Sequence, residues 1–255
     1  MNNCSPKINI AMILAAGLGT RMRPLTNDRP KPLIEVAGKA LIDYTLDQLA
    51  DAGVDKTIVN VHYLADQIEA HCAHRTKPQI TISDERKKLL ETGGGLLKAA
   101  PLIGHDPFYC CNTDAILQNH KGKNALTRLQ EFFDPEKMDA LLLLCPLKSA
   151  SGYDGHGDFS LSSGDESGPL QWRQDSPINA PLYIYTGYQI LHPRLLHGPA
   201  NTPFSAKNFW QCAMDKSRAY GLIHDGKWMH VGDPEGLALA RKELENASIE
   251  QYDDR

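Results

Sequence analysis

The segment from Ile10 to Leu33, IAMILAAGLGTRMRPLTNDRPKPL, constrains this chain more than any other. It begins as an unbroken apolar run, Ile10 to Leu14, the pattern of a strand buried on both faces. The run breaks into Ala15-Ala16-Gly17-Leu18-Gly19-Thr20-Arg21, where small side chains let successive backbone N–H groups approach an anion. Arg21 and Arg23 can fork onto phosphate oxygens, and Lys31 supplies a point charge further along. Pro30 and Pro32 hold that lysine in a restricted backbone. A glycine turn after a buried strand would carry no function alone; three cations in the same short segment point to phosphate. The loop is not a Walker loop, because no Gly-Lys-Ser/Thr closes it. Nor is it a Rossmann fingerprint, because Met22 stands where the last glycine belongs.

The rest of the chain supplies a scaffold for such a loop. Apolar spacing predicts a helix over 41–49 stopped at Ala52-Gly53, a strand over 57–61, a helix over 64–72 and a strand over 79–83. Strand, helix, strand, helix, strand is the pattern of a parallel sheet covered by helices. Further on the sequence predicts a helix over 125–133, a central buried strand over 140–145, an aromatic-apolar strand over 182–188 and a helix over 204–215. Asp225-Gly226 reads as a two-residue hairpin turn joining 220–224 to 227–231. Asp233 and Pro234 read as N-cap and first residue of a final helix. The fold class expected is α/β, a Rossmann-like, mostly parallel mixed sheet with helices on both faces. The Gly-, Ser- and Asp-rich stretch 149–176 reads as a small hairpin-rich insertion over the ligand edge, within a single domain spanning 1–255.

Three further places carry candidate chemistry. Glu91-Thr92-Gly93-Gly94-Gly95 opens a helix with Thr92 as its expected N-cap, its glycines allowing a flat ligand to press on the backbone. Asn112-Thr113-Asp114 follows a short apolar strand, where open α/β sheets bind ligands; a turn-forming aspartate would look the same. His156-Gly157-Asp158-Phe159 stands out within the insertion, although a polar turn entering a strand fits it equally.

Composition narrows the class. A formal charge of −4 and a pI near 6.2 argue against broad binding to nucleic acid or an anionic membrane. Six cysteines, none in a C-x-x-C pair, read as reduced thiols, and with no signal-peptide core the expectation is a cytoplasmic protein.

Leu14 to Thr26, followed by Arg29-Pro30-Lys31-Pro32-Leu33, resembles the signature of the sugar-1-phosphate nucleotidylyltransferases. The resemblance implies the nucleotide-diphospho-sugar transferase fold, with 8–148 binding nucleotide and 149–255 binding sugar phosphate. It implies that Ala15, Ala16, Gly17, Gly19, Thr20, Arg21, Lys31 and Asn112 bind the nucleotide, together with Glu91, Thr92 and Gly93 at the base. Arg21, Lys31 and Asp114 would be catalytic, and Gly157, Asp158, Thr186 and Gly187 would approach the sugar phosphate. Asp114 would hold Mg²⁺ or Mn²⁺ on the triphosphate. The sequence departs from the family at the second metal ligand: an aspartate in most relatives is His230 here, and Asp233 replaces a threonine. His230 is the candidate ligand, with Asp233 as fallback. Glu91 to Gly95 is similar to the uridylyltransferase branch and His156 to Phe159 to the muramate-specific branch. The expected donor is therefore UTP and the acceptor N-acetylmuramic acid 1-phosphate, in a monomer or small homo-oligomer. The alternatives are GTP with mannose 1-phosphate, and a regulatory protein that binds nucleotide sugar without turnover.

Overall fold

The structure, a computed structural model, describes residues 7–253 other than 121, 164, 165 and 200. Cys4 lies outside the described residues. Strand β1 (Ile10–Leu14) leads through the glycine loop to a short ribbon, β2 (Glu35–Val36) and β3 (Lys39–Ala40). Then come α1 (Leu41–Asp51), β4 (Lys56–Val61), α2 (Ala65–Cys72), β5 (Gln79–Asp84) and α3 (Glu91–Ile103). Strands β6 (Phe108–Asn112) and β7 (Ala115–Gln118) flank the Asp114 turn and precede α4 (Ala125–Phe132), β8 (Ala140–Pro146) and β9 (Ala150–Ser151). The remainder contains β10 (Phe159–Leu161), β11 (Ser167–Trp172), β12 (Tyr183–Leu191), α5 (Lys207–Asp215), β13 (Ala219–Ile223), β14 (Lys227–His230) and α6 (Pro234–Asp253).

Nine strands form one sheet in the order β10-β11-β13-β8-β12-β6-β1-β4-β5. β1 lies between β4 and β6, parallel to both, so Ile13 is opposite Val59 on one side and Cys111 on the other. Its side chains alternate between two cores, as strand geometry requires. Ala11 and Ile13 pack with α1 and α4 residues such as Ile42, Leu46 and Leu129. Met12 packs with Leu96 of α3 and Phe209 and Trp210 of α5. Helices on both faces explain why β1 and β8 carry unbroken apolar runs. Cys110 and Cys111 follow the same alternation, one in each core, and burial pushes the Cys110 thiol up to about 12. The insertion's hairpin, β10 with β11, extends the main sheet.

The Asp225-Gly226 turn does not close a hairpin. β13 pairs with β8 and β11, whereas β14 joins a second sheet with β7 and β9. Both edges of β13 are thus taken within the main sheet, and the turn carries the chain from one sheet to the other. Gly226 is required by closeness: a Cβ there would lie 1.8 Å from the Gln118 carbonyl oxygen. Gly226→Ala is therefore expected to destabilise the protein by about 1–3 kcal/mol, read as a lowered thermal midpoint. Helix α5 starts at Lys207, later than its apolar pattern, because the backbone just before it is bound elsewhere. The Phe204 carbonyl accepts the Gly93 N–H at 2.8 Å, and Ala206 N–H donates to Thr92 Oγ1 at 2.8 Å.

Candidate active site

The ends of β1 and β6 open into a cleft of about 460 Å³. Ala15, Ala16, Gly17, Gly19, Thr20 and Arg21 form one wall of it. Gly19 adopts φ +62°, and a Cβ on it would meet Thr26 at 3.0 Å and the Lys31 Cβ at 3.1 Å. That contact lets Lys31 run alongside the glycine loop. Thr26 is fully buried and donates from Oγ1 to the Gly19 carbonyl at 2.8 Å, so it fixes the loop from behind. Met22 is fully buried in a small core with Ile34, Val36 and Leu41, which anchors the short 3₁₀ turn bearing Arg21.

Opposite this loop, the turn between β6 and β7 presents Asn112, Thr113 and Asp114 to the cleft. Lys31 Nζ lies 3.3 Å from Asp114 Oδ2. Burial pushes the Asp114 carboxyl up, but Lys31, His230 and Arg21 together outweigh that and hold it below the ordinary carboxylate range. Asp114 is therefore ionised at neutral pH. Oδ2 is committed to Lys31, and among the described residues Oδ1 has no hydrogen-bond donor.

The third wall is the start of α3, where Glu91 and Thr92 line the cleft beside Leu89 and Ser205. Thr92 is not the N-cap: the helix starts at Glu91, after Leu90, and Thr92 Oγ1 accepts from Ala206. Gly93 is buried away from the cleft, and a Cβ there would collide with Phe204 at 2.4 Å. The glycines of this segment let the 202–206 chain, rather than a ligand, press against the helix.

Two residues that the sequence did not single out join these walls. Asn60, at 2 % exposure, accepts the Ala15 N–H on Oδ1 at 2.7 Å and donates from Nδ2 to Glu85 Oε1 at 2.8 Å. Glu85, fully buried, accepts the Leu90 N–H on Oε2 at 3.1 Å. A single side-chain bridge thus ties the phosphate loop to the start of α3. Only Gly95 leaves room for it, since a Cβ there would lie 2.8 Å from Glu85 Oε1. The sequence signal was a polar residue inside an otherwise β-branched strand.

The residues expected at the sugar phosphate divide. Thr186 is a core residue: its hydroxyl donates to the Leu143 carbonyl at 2.9 Å, and its carbonyl accepts from Trp228 Nε1. Gly187 has φ +92° at an irregularity in β12, and a Cβ on it would lie 3.1 Å from the Asn112 Cβ. Gly157 and Asp158 line a separate cavity, also about 460 Å³, beside Trp172, Arg173 and Lys207. Asp233 accepts the Gly236 N–H at 2.9 Å and caps α6, so its Oδ1 serves the helix. His230 stacks on Trp228, with centroids 5.5 Å apart, behind the cleft-lining Gly232. Its Nδ1 lies 3.2 Å from the Gly152 carbonyl, which can only accept, so Nδ1 is the donor there.

A cleft with a cationic glycine loop facing an ionised aspartate is suited to holding a polyphosphate. Comparison with known proteins agrees. A family model described as nucleotidyl transferase matches residues 10–156. The chain is 44% identical over 247 residues to an N-acetylmuramate alpha-1-phosphate uridylyltransferase of Caulobacter vibrioides, covering 95% of this chain and 99% of that one. A mannose-1-phosphate guanylyltransferase catalytic subunit beta of Xenopus tropicalis is 28% identical, covering 88% of this chain and 61% of that one. A crystal structure of UDP-glucose pyrophosphorylase with UDP-glucose superposes with a TM-score of 0.77 at 17% identity, covering 94% of this chain and 99% of that one, a likeness of fold. This chain belongs to the nucleotidyl transferase family, in the fold shared with the nucleotide-sugar pyrophosphorylases.

Proposed function

We propose that this protein transfers UMP from UTP to N-acetylmuramic acid 1-phosphate, releasing pyrophosphate, in the cytoplasm. The observation that carries the reaction is the Lys31–Asp114 pair facing the glycine loop across one cleft. The acceptor and base follow the relative that matches almost the whole chain at 44% identity. A sugar phosphate is already a dianion at neutral pH, its second pKa being about 6, so no general base is needed. The site has to position the two substrates in line and neutralise charge. Arg21 and the backbone N–H groups from Gly17 to Thr20 hold the β- and γ-phosphates, and Arg21 stabilises the departing pyrophosphate. Lys31 bridges donor and acceptor phosphates. Glu91 and Thr92 lie at the base.

A divalent metal fits this donor set. Asp114 is ionised and lines the cleft, with Oδ1 unbonded among the described residues. Among the described residues no three His, Cys, Asp or Glu side chains gather to hold a metal, so substrate phosphates and water would supply most ligands. When bound, the metal fixes the triphosphate geometry and neutralises developing charge. His230 is proposed as the second protein ligand through Nε2, with its Nδ1–H held by the Gly152 carbonyl so that the ring is oriented. Wild type should then favour Mn²⁺ over Mg²⁺, and His230→Asp should shift the activity ratio toward Mg²⁺. Equal ratios in the two proteins would remove His230 from the site.

The test of the function is a pyrophosphate-release screen of four nucleoside triphosphates against a panel of sugar 1-phosphates. UTP with N-acetylmuramic acid 1-phosphate should give the highest kcat/KM. Preference for GTP with mannose 1-phosphate would transfer the assignment to that reaction. Binding without any release would indicate a regulatory nucleotide-sugar binder.

A further inference from the structure

The cavity that takes Gly157 and Asp158 away from the main cleft has a chemistry of its own. Its floor is tightly fixed. Asp158 donates its N–H to the Tyr183 carbonyl at 2.7 Å, accepts the Arg173 N–H at 3.0 Å on its own carbonyl, and accepts the Tyr185 N–H at 3.0 Å on Oδ2. Trp172 stacks on the buried Phe159, with centroids 4.8 Å apart, and donates from Nε1 to Gln211, giving a rigid wall that is half apolar. Two cations, Arg173 and Lys207, reach this cavity, and neither side chain makes an ion pair among the described residues. Four other arginines are neutralised: Arg75 by Asp43 and Asp47, Arg86 by three carboxylates, and Arg194 and Arg218 by Asp139. The segment 205–207 also joins the two cavities, since Ser205 lines the main cleft and Lys207 lines this one.

We propose that Arg173 and Lys207 form a carboxylate subsite that selects an acceptor sugar bearing an acidic substituent. The proposal rests on the reading of the acceptor as N-acetylmuramic acid 1-phosphate, whose lactyl ether ends in a carboxylate that N-acetylglucosamine 1-phosphate lacks. In this proposal the acceptor phosphate sits in the main cleft and the ring substituents extend along the 205–207 segment into the second cavity. Arg173 can take a carboxylate with two parallel N–H bonds, and Lys207, lining the same cavity, adds a point charge. Asp158, whose Oδ1 has no hydrogen-bond donor among the described residues, accepts from a sugar hydroxyl or amide N–H and repels an acid placed in the wrong orientation. The subsite discriminates substrates and takes no part in the chemical step.

The experiment compares kcat/KM, with saturating UTP, for N-acetylmuramic acid 1-phosphate and N-acetylglucosamine 1-phosphate in wild type, Arg173→Gln, Lys207→Gln and the double variant. Where the glucosamine derivative gives no turnover, its inhibition constant against the muramic substrate replaces kcat/KM. Both residues are exposed, so the variants should melt like wild type. Each single substitution should lower the preference for the acidic acceptor about 10-fold, through KM, and the double variant further. Arg173→Lys should recover part of the loss. An equal loss for both acceptors would overturn the proposal by assigning the two cations to the shared 1-phosphate. Unchanged constants would overturn it by removing the cavity from the acceptor site. Wild type that cannot use the muramic substrate at all would refute the proposed function itself, and that outcome is visible before any substitution is made.

Discussion

Lys31→Met should lower kcat/KM by about 100- to 1,000-fold, roughly 3–4 kcal/mol of transition-state stabilisation. The residue is held by the Pro30–Pro32 backbone against Gly19, with its ammonium group 3.3 Å from Asp114. Nothing in either main core depends on it, so the fold should persist. Removing its charge has a second consequence. Lys31 is the strongest of the influences that keep Asp114 ionised against burial, so the carboxyl pKa should rise in the variant. Lys31→Arg should restore the charge but not the rate, because a planar fork cannot occupy the place of a point charge between two phosphates. Steady-state kinetics with both substrates varied will check this. A Lys31→Met protein with a near wild-type rate contradicts the assigned role.

Asp114→Asn should cost more, about 1,000-fold or beyond, since it removes the carboxylate proposed to hold a metal on the triphosphate. Excess Mn²⁺ should recover part of the activity, which distinguishes lost metal from a lost fold. The same group makes a prediction about pH. Its folded pKa lies below the unfolded value of about 3.9, so the stability it contributes is present above that value and lost as pH falls through the lower folded one. Asp114 does not titrate between pH 5 and 8 on this account. The acid limb of kcat/KM should instead appear near 6, where the acceptor phosphate takes up its second proton. A limb below pH 4 would mean that the attacking group is not a phosphate dianion.

The sequence revealed the site's charged half better than its packed half. Arg21, Lys31 and Asp114 were legible because fixed charges beside a glycine loop have few structural uses, and the structure gathers all three around one cleft. β1, β6 and β8 were legible because strands buried on both faces carry apolar runs, and β4 and β5 because β-branched residues dominate their middles. Asn60 and Glu85 were not, since their role depends on contacts 25 and 45 residues away along the chain. Gly93 and Thr92 misled for a related reason: glycine at a helix start admits a ligand and a neighbouring chain equally well, and here Phe204 takes the space. The hairpin at Asp225-Gly226 failed because turn chemistry is local, whereas the choice of sheet was made by β8 and β11. Thr186 shows the limit of a motif: a hydroxyl beside a special glycine turned inward to a buried carbonyl.

The central claim is that the acceptor's own phosphate attacks the α-phosphorus of UTP in the Lys31–Asp114 cleft. It is tested most directly by supplying N-acetylmuramic acid 1-phosphate labelled with ¹⁸O in its phosphate and weighing both products. The account predicts a UDP-sugar that carries all of the label in its β-phosphate, and unlabelled pyrophosphate. Label in the pyrophosphate, or pyrophosphate released without a UDP-sugar, would contradict it.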